Sequence, residues 1–182
     1  DDLYASRFLT NQGRYASELE QKIREIIGVK HCALFCNATI ALMCLARALN
    51  LKGNVIVPSL TFAATTQALL WQGISPQFVD VETETFTMDP DLIEAAINPF
   101  TSAIMPVHLF GNPCAHDQIA SIAAKHELPL IYDSAHAFGS RYREKMVGSL
   151  GEAEVFSFHA TKLIHAAEGG AARLNEAQFD LV

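Results

Sequence analysis

Lys162 is the residue on which any chemistry of this chain turns. It follows the apolar run Val155-Phe156-Ser157-Phe158, and residues 157–170 hold only one other Asp, Glu, Lys or Arg, namely Glu168. A partly buried amine is driven toward its neutral, nucleophilic form and can condense with a carbonyl to an imine. Lone lysines are usually solvated, so the argument rests on the company Lys162 keeps. Asp133 ends the run Leu128-Pro129-Leu130-Ile131-Tyr132, where burial raises a carboxyl pKa unless a cation lies opposite. A protonated pyridine nitrogen is such a cation, and pairing the two turns the ring into an electron sink; a strand-end Asp capping its own turn is the plain alternative. His136, three residues on, either donates to a ring oxygen, lies against a ring, or is a satisfied structural histidine. Phe62 stands at the same fork between stacking on a planar ligand and packing in the core.

Asn37-Ala38-Thr39-Ile40 adds a different group. Between a strand and a helix, free backbone N–H groups and the positive end of the helix dipole suit a phosphate, and Thr39 brings a hydroxyl. A helix cap with no ligand is the other reading. Ser157, five positions before Lys162, is a second hydroxyl suited to phosphate. His108, Asp133, His136 and His159 also fall near strand ends. The sequence lacks a His-Glu-x-x-His helix, however, so the case for metal-dependent hydrolysis is weak.

The elements that must hold these residues alternate. Apolar Leu19, Ile23, Ile26 and Ile27 stripe a helix over 15–27, and Gly28 stops it. Strands are expected at 32–35, 54–57, 77–81, 103–107, 129–132 and 155–158, with helices at 39–49, 62–71 and 119–126. Asp89 with Pro90 caps a further helix through Ile97. Glu168-Gly169-Gly170 is expected to form a tight turn. Strand-helix alternation predicts an α/β fold in three layers, α/β/α, around a mostly parallel sheet. In such sheets ligands collect at the carboxyl ends of strands, where the residues above fall.

With 182 residues, half of them hydrophobic and 18% charged, the chain can bury a sizeable core, and residues 1–182 form one expected domain. The formal net charge of -7 argues against nucleic acid as a partner, because phosphate neutralisation needs clustered Lys and Arg. No apolar run approaches a membrane span. Cys32, Cys36, Cys44 and Cys114 form no Cys-x-x-Cys pair and lie in or beside apolar stretches, as reduced, buried thiols do. A cytoplasmic protein is expected. The start at Asp1 and the stop at Val182 are what a fragment of a longer chain would show.

Four stretches carry a resemblance. They are Asn54-Val55-Ile56-Val57-Pro58-Ser59-Leu60-Thr61-Phe62, Met105-Pro106-Val107-His108-Leu109-Phe110-Gly111, Asp133-Ser134-Ala135-His136-Ala137-Phe138-Gly139, and Ser157-Phe158-His159-Ala160-Thr161-Lys162 closing on Glu168-Gly169-Gly170. In order and spacing the chain resembles the DegT/DnrJ/EryC1/StrS sugar aminotransferases, a branch of the fold-type I enzymes that use pyridoxal 5'-phosphate (PLP). The resemblance implies that Lys162 holds PLP as an imine and moves the substrate proton. It implies that Asp133 pairs with the pyridine nitrogen, that Phe62 stacks on the ring and that His136 lies near the ring 3-oxygen. Ala38, Thr39, Ile40 and Ser157 would surround the cofactor phosphate. The implied reaction moves an amino group, usually from L-glutamate, to a nucleotide-linked keto-sugar in polysaccharide or antibiotic sugar synthesis. Homodimers with shared sites and a second, smaller domain are the family pattern. Relatives that dehydrate sugars carry His in place of the lysine, and a non-catalytic PLP-binding relative is the further alternative. Leu163 and Ile164 depart from the Asn that many members have after the lysine, which leaves the sugar and its carbon open.

Overall fold

The structure, a computed structural model, describes residues 2–8 and 10–175. After a short helix α1 (Asp2–Ser6), helix α2 (Arg14–Ile27) turns Ile23 and Ile27 into the core. Gly28 ends it with φ 79°, a left-handed C-cap that a side chain would disfavour, and its N–H reaches Arg24 O at 2.8 Å. The chain then runs through β1 (Ala33–Phe35), α3 (Ala38–Ala48), β2 (Asn54–Pro58), α4 (Ala63–Leu70) and β3 (Ser75–Val79). Next come a 3-10 turn (Pro90–Leu92), α5 (Ile93–Ala96), β4 (Thr101–Ile104) and a 3-10 turn (Leu109–Gly111). Helix α6 (His116–Lys125), β5 (Ile131–Asp133), the hairpin β6 (Arg141–Tyr142) and β7 (Lys145–Met146), β8 (Ala153–Ser157) and β9 (Gly170–Leu174) complete it.

The strands form one run of three, β3-β2-β4, and one of four, β5-β8-β9-β1. Parallel bridges from Ile104 to Leu130 and from Val107 to Asp133 set the β4 segment beside β5. Pairings β2–β3, β2–β4 and β5–β8 are parallel, whereas β9 runs antiparallel to both β8 and β1. Alternate residues of the central strands enter different cores, as a strand with two covered faces requires. Val55, Val57, Ile131 and Val155 join Leu42 and Leu45 of α3 and Leu69 of α4. Ile56, Tyr132 and Phe156 join Ile23 of α2, Ile93 of α5 and Ile119 of α6. Helices therefore cover both faces, and the fold is the expected three-layer α/β/α with a mostly parallel sheet.

Two expectations fail locally. The helix from Asp89 through Ile97 breaks into a 3-10 turn and one turn of α-helix, although Asp89 Oδ1 does cap it by accepting from the Asp91 amide at 3.0 Å. Gly170 lies not in a turn but at the start of β9, paired with Phe35 of β1 and Ser157 of β8. A Cβ on Gly170 would stand 2.5 Å from Asn37 C and 2.6 Å from Ala38 N, so the strand needs glycine where the start of α3 packs against it.

Candidate active site

The carboxyl ends of β1, β2, β5 and β8 converge on a cavity of about 350 Å³. Ala38, Thr39, Phe62, Asp133, His136, Ser157 and Lys162 all line it. Ile40 does not: its amide donates to Asn37 Oδ1 at 2.9 Å, and its side chain lines a separate cavity beside Phe35 and Cys36.

One corner suits an anion. Asn37 caps α3, and its carbonyl takes the Ala41 amide at 3.2 Å. The amides of Ala38 and Thr39, in the first turn, have no intrahelical acceptor and stand at the positive end of the helix dipole. Ser157, 7% exposed, ends β8 at the same cavity. Its Oγ accepts from the His159 amide at 3.3 Å, which leaves the hydroxyl proton to donate.

Asp133 is 4% exposed. Its Oδ1 accepts from the Ala135 amide at 3.1 Å and its Oδ2 from Thr65 Oγ at 2.7 Å. Among the described residues no Lys, Arg or His forms an ion pair with it. A carboxylate buried to this degree, with two donors and no cationic side chain, fits a positively charged ring nitrogen.

His136 Nδ1 accepts from the Phe110 amide at 3.2 Å. A backbone N–H can only donate, so the neutral ring carries its proton on Nε2. Burial, then the Lys162 ammonium, pull the His136 pKa below its ordinary value, against an opposing pull from Asp133. The ring is thus neutral at neutral pH and an N–H donor through Nε2. Phe110, at φ 54°, lies parallel to it with centroids 5.9 Å apart.

Lys162 sits half-buried in the excursion between β8 and β9. Hydrogen bonds across that excursion pin it: Phe158 N to Gly169 O at 2.8 Å, Ala160 N to Ala167 O at 2.9 Å and Ala166 N to Phe158 O at 2.9 Å. Lys162 N reaches His159 O at 2.9 Å, and Nζ stands 5.9 Å from the centre of the Phe62 ring. Phe62 itself is 68% exposed, which places it outside the core. An amine, a buried carboxylate, an N–H-donating imidazole and an anion corner around one cavity suit a planar, phosphorylated aldehyde such as PLP.

Of the four histidines and carboxylates weighed for a metal, His108 is fully buried, stacks on Tyr132 at 4.4 Å and accepts the Cys114 amide on Nδ1. Burial pulls its pKa down to about 3, so it is a neutral core residue. No group of three or more His, Cys, Asp or Glu among the described residues is arranged to hold a metal ion. Sequence reasoning overlooked Thr65, whose contact with Asp133 spans 68 positions and leaves no local trace.

This three-layer fold, with a lysine, a buried Asp and a helix N-terminus at one sheet edge, falls in the class of α/β folds that PLP-dependent enzymes use. Within it, the DegT/DnrJ/EryC1/StrS aminotransferase family model matches residues 1–180, and the chain belongs to that family. It is 44% identical over 177 residues to the dTDP-4-amino-4,6-dideoxy-D-glucose transaminase of Shigella dysenteriae, covering 97% of this chain and 48% of that protein. It is 40% identical over 171 residues to the GDP-perosamine synthase of Caulobacter vibrioides, covering 93% and 46%. Among solved structures, DesI in the presence of its TDP-sugar product superposes with a TM-score of 0.95 at 47% identity, covering 98% of this chain and 46% of DesI. The chain spans about half the length of the relatives it matches.

Proposed function

We propose that the protein is a PLP-dependent aminotransferase that moves an amino group, with L-glutamate as donor, to a nucleotide-linked keto-deoxy sugar. The observation that carries this reading is the placement of Lys162, Asp133, His136 and the start of α3 on one cavity. The names of the relatives, a dTDP-sugar transaminase and a GDP-perosamine synthase, support the substrate class. PLP, when bound, supplies a ring that absorbs the electron pair left on a substrate carbon. Asp133 keeps the ring nitrogen protonated, and the His136 Nε2–H donates to the ring 3-oxygen. The Ala38 and Thr39 amides with the Thr39 and Ser157 hydroxyls hold the phosphate. Lys162 Nζ would hold the cofactor and, as a free amine, would carry the proton between the substrate carbon and the cofactor. Lys162 at this place, rather than His, favours amino transfer over dehydration.

An absorbance spectrum of the purified protein with PLP, taken before and after L-glutamate, tests the reading. A band toward the visible edge that glutamate bleaches is expected, and borohydride should fix the cofactor mass on the Lys162 peptide. A protein that binds PLP at no lysine would end it.

The proposal includes a homodimer. Phe62, Phe110, Leu163 and Ile164 expose 68%, 79%, 90% and 50% of their surface at or beside the cavity, a rim of apolar side chains that a second copy would cover. Light scattering should return twice the monomer mass, and a monomer would refute the pairing. No helix among the described residues is long and apolar enough to cross a membrane, and Cys32, Cys36, Cys44 and Cys114 are all free thiols. Reduced thiols suit the cytoplasm, which cell fractionation would check.

A further inference from the structure

Thr65 is fully buried in the first turn of α4, yet it does not use its hydroxyl as helical threonines commonly do. Its neighbour Thr66 bonds back to the Ala63 carbonyl at 3.0 Å, the local pattern. Thr65 instead points to another strand, with Oγ 2.7 Å from Asp133 Oδ2. A hydroxyl has one hydrogen and an ionised carboxylate only accepts, so Thr65 is the donor. That fixes the next link: Thr61 Oγ, 2.7 Å from Thr65 Oγ, must donate to Thr65. Thr61 competes weakly for the Phe62 carbonyl at 3.4 Å, and the shorter contact wins.

We infer that Thr65 is a positioning residue: with Thr61 it forms a hydroxyl relay that holds the Asp133 carboxylate in the orientation its partner nitrogen needs. The relay also joins two segments that the fold brings from different places. Thr61 precedes Phe62 on the connection from β2 to α4, and Asp133 ends β5. The inference rests on the proposed PLP chemistry. Thr65 itself does not line the cavity, so its effect reaches the reaction only through Asp133. With Oδ2 held by Thr65 and Oδ1 by the Ala135 amide, the carboxylate has one orientation before any ligand arrives. Loss of the hydroxyl frees rotation about Cβ–Cγ and removes one of the two donors that hold the carboxylate.

Thr65→Val keeps the shape and removes the donor, whereas Thr65→Ser keeps the donor. In the holoenzyme the valine variant should lower kcat for the glutamate half-reaction roughly 10- to 100-fold, the span expected when a hydrogen bond to a charged group is lost. KM for glutamate should stay within about threefold, because Thr65 touches no substrate. The pH profile of its PLP absorbance band should shift, a spectroscopic readout that does not depend on turnover, because the Thr65 donor to the Asp133 carboxylate is lost. The serine variant should retain both kcat and the profile. If valine does not fold, Thr65→Ala set against Thr65→Ser makes the same comparison, since both lack the methyl. Equal kcat and pH profiles in the variants with and without the hydroxyl would overturn the inference while the PLP reading stands. A wild-type protein that forms no lysine-bound PLP would overturn both.

Discussion

Lys162→Ala is expected to abolish glutamate-dependent amino transfer while leaving the cofactor bound. On the proposed roles, the variant removes both the amine that would hold the cofactor and the base that would move the substrate proton. Positioned acid-base groups contribute roughly 10²–10⁴-fold on their own, so the fall in kcat should exceed that range once nucleophilic loss is added. The rest of the binding apparatus is untouched, because the amides at the start of α3, the Ser157 hydroxyl and Asp133 are held by bonds in which Lys162 takes no part. PLP should therefore still co-purify or bind, but without the band that glutamate bleaches and without mass fixed by borohydride. Lys162→Arg sharpens the test, since it keeps the cation near the Phe62 ring and near His136 yet is no nucleophile at neutral pH. A Lys162→Ala variant with more than about a hundredth of wild-type turnover would contradict the assigned roles.

Much of this arrangement was legible in the sequence, and the exceptions have physical causes. The apolar runs around Val55, Ile131 and Val155 announce strands buried on both faces, and the polar residues that end them fall at the sheet edge because parallel strands share a direction. Strand β9 was hidden. Its Gly170-Ala171-Ala172-Arg173-Leu174 contains no β-branched or aromatic residue, the composition that marks strands. Small residues are needed there because β9 lies between β1 and β8, with the start of α3 against Gly170. The antiparallel return it makes from β8 is what turns residues 158–169 into an excursion and presents Lys162 to the cavity. Ile40 illustrates a finer limit: its place in the first turn of a phosphate-suited helix is evident, but the Asn37 cap takes its amide. Thr65 is invisible without a fold because the carboxylate that takes its hydroxyl lies 68 positions away.

Arg173→Met is expected to cost the fold about 3–5 kcal/mol, the effect of leaving a buried charge without its partner. Arg173 is 4% exposed and its guanidinium sits among the carbonyls of the segment before β8. Nε donates to Gly148 O at 2.6 Å, Nη2 to Leu150 O at 2.7 Å, and Nη1 to Gly151 O, Glu152 O and Asn175 Oδ1 at 2.9–3.2 Å. Glu154, fully buried, stands 3.6 Å from Nη2 and binds the same segment from the other side. It accepts from the Gly148 amide at 2.6 Å, from the Leu150 amide, and from Ser134 Oγ at 3.0 Å. Methionine approximates the length of arginine but restores none of these bonds and leaves Glu154 without its cation. At 2–4 °C per kcal/mol for a chain near this size, Tm should fall by roughly 10 °C. The loss should depend on pH in a definite direction. Burial pushes the Glu154 carboxyl up to about 7, against the pull of Arg173 and its three donors. An unfolded carboxyl titrates near pH 4.3, so between these values the native state holds a proton that the unfolded state has released. The stability from this group is therefore full in acid and lost as pH rises through about 7. Without Arg173 the ionised form becomes costlier, so the Tm deficit of the variant should be larger at pH 8 than at pH 5. In a Glu154→Gln background, which has no proton to lose, Arg173→Met should show the same deficit at both pH values. Because Ser134 adjoins Asp133 and bonds to Glu154, loosening the network should also weaken PLP retention. Thermal melts at the two pH values decide the matter: equal deficits, or a shift of under about 2 °C at both, would mean that the pair does not hold the segment as described.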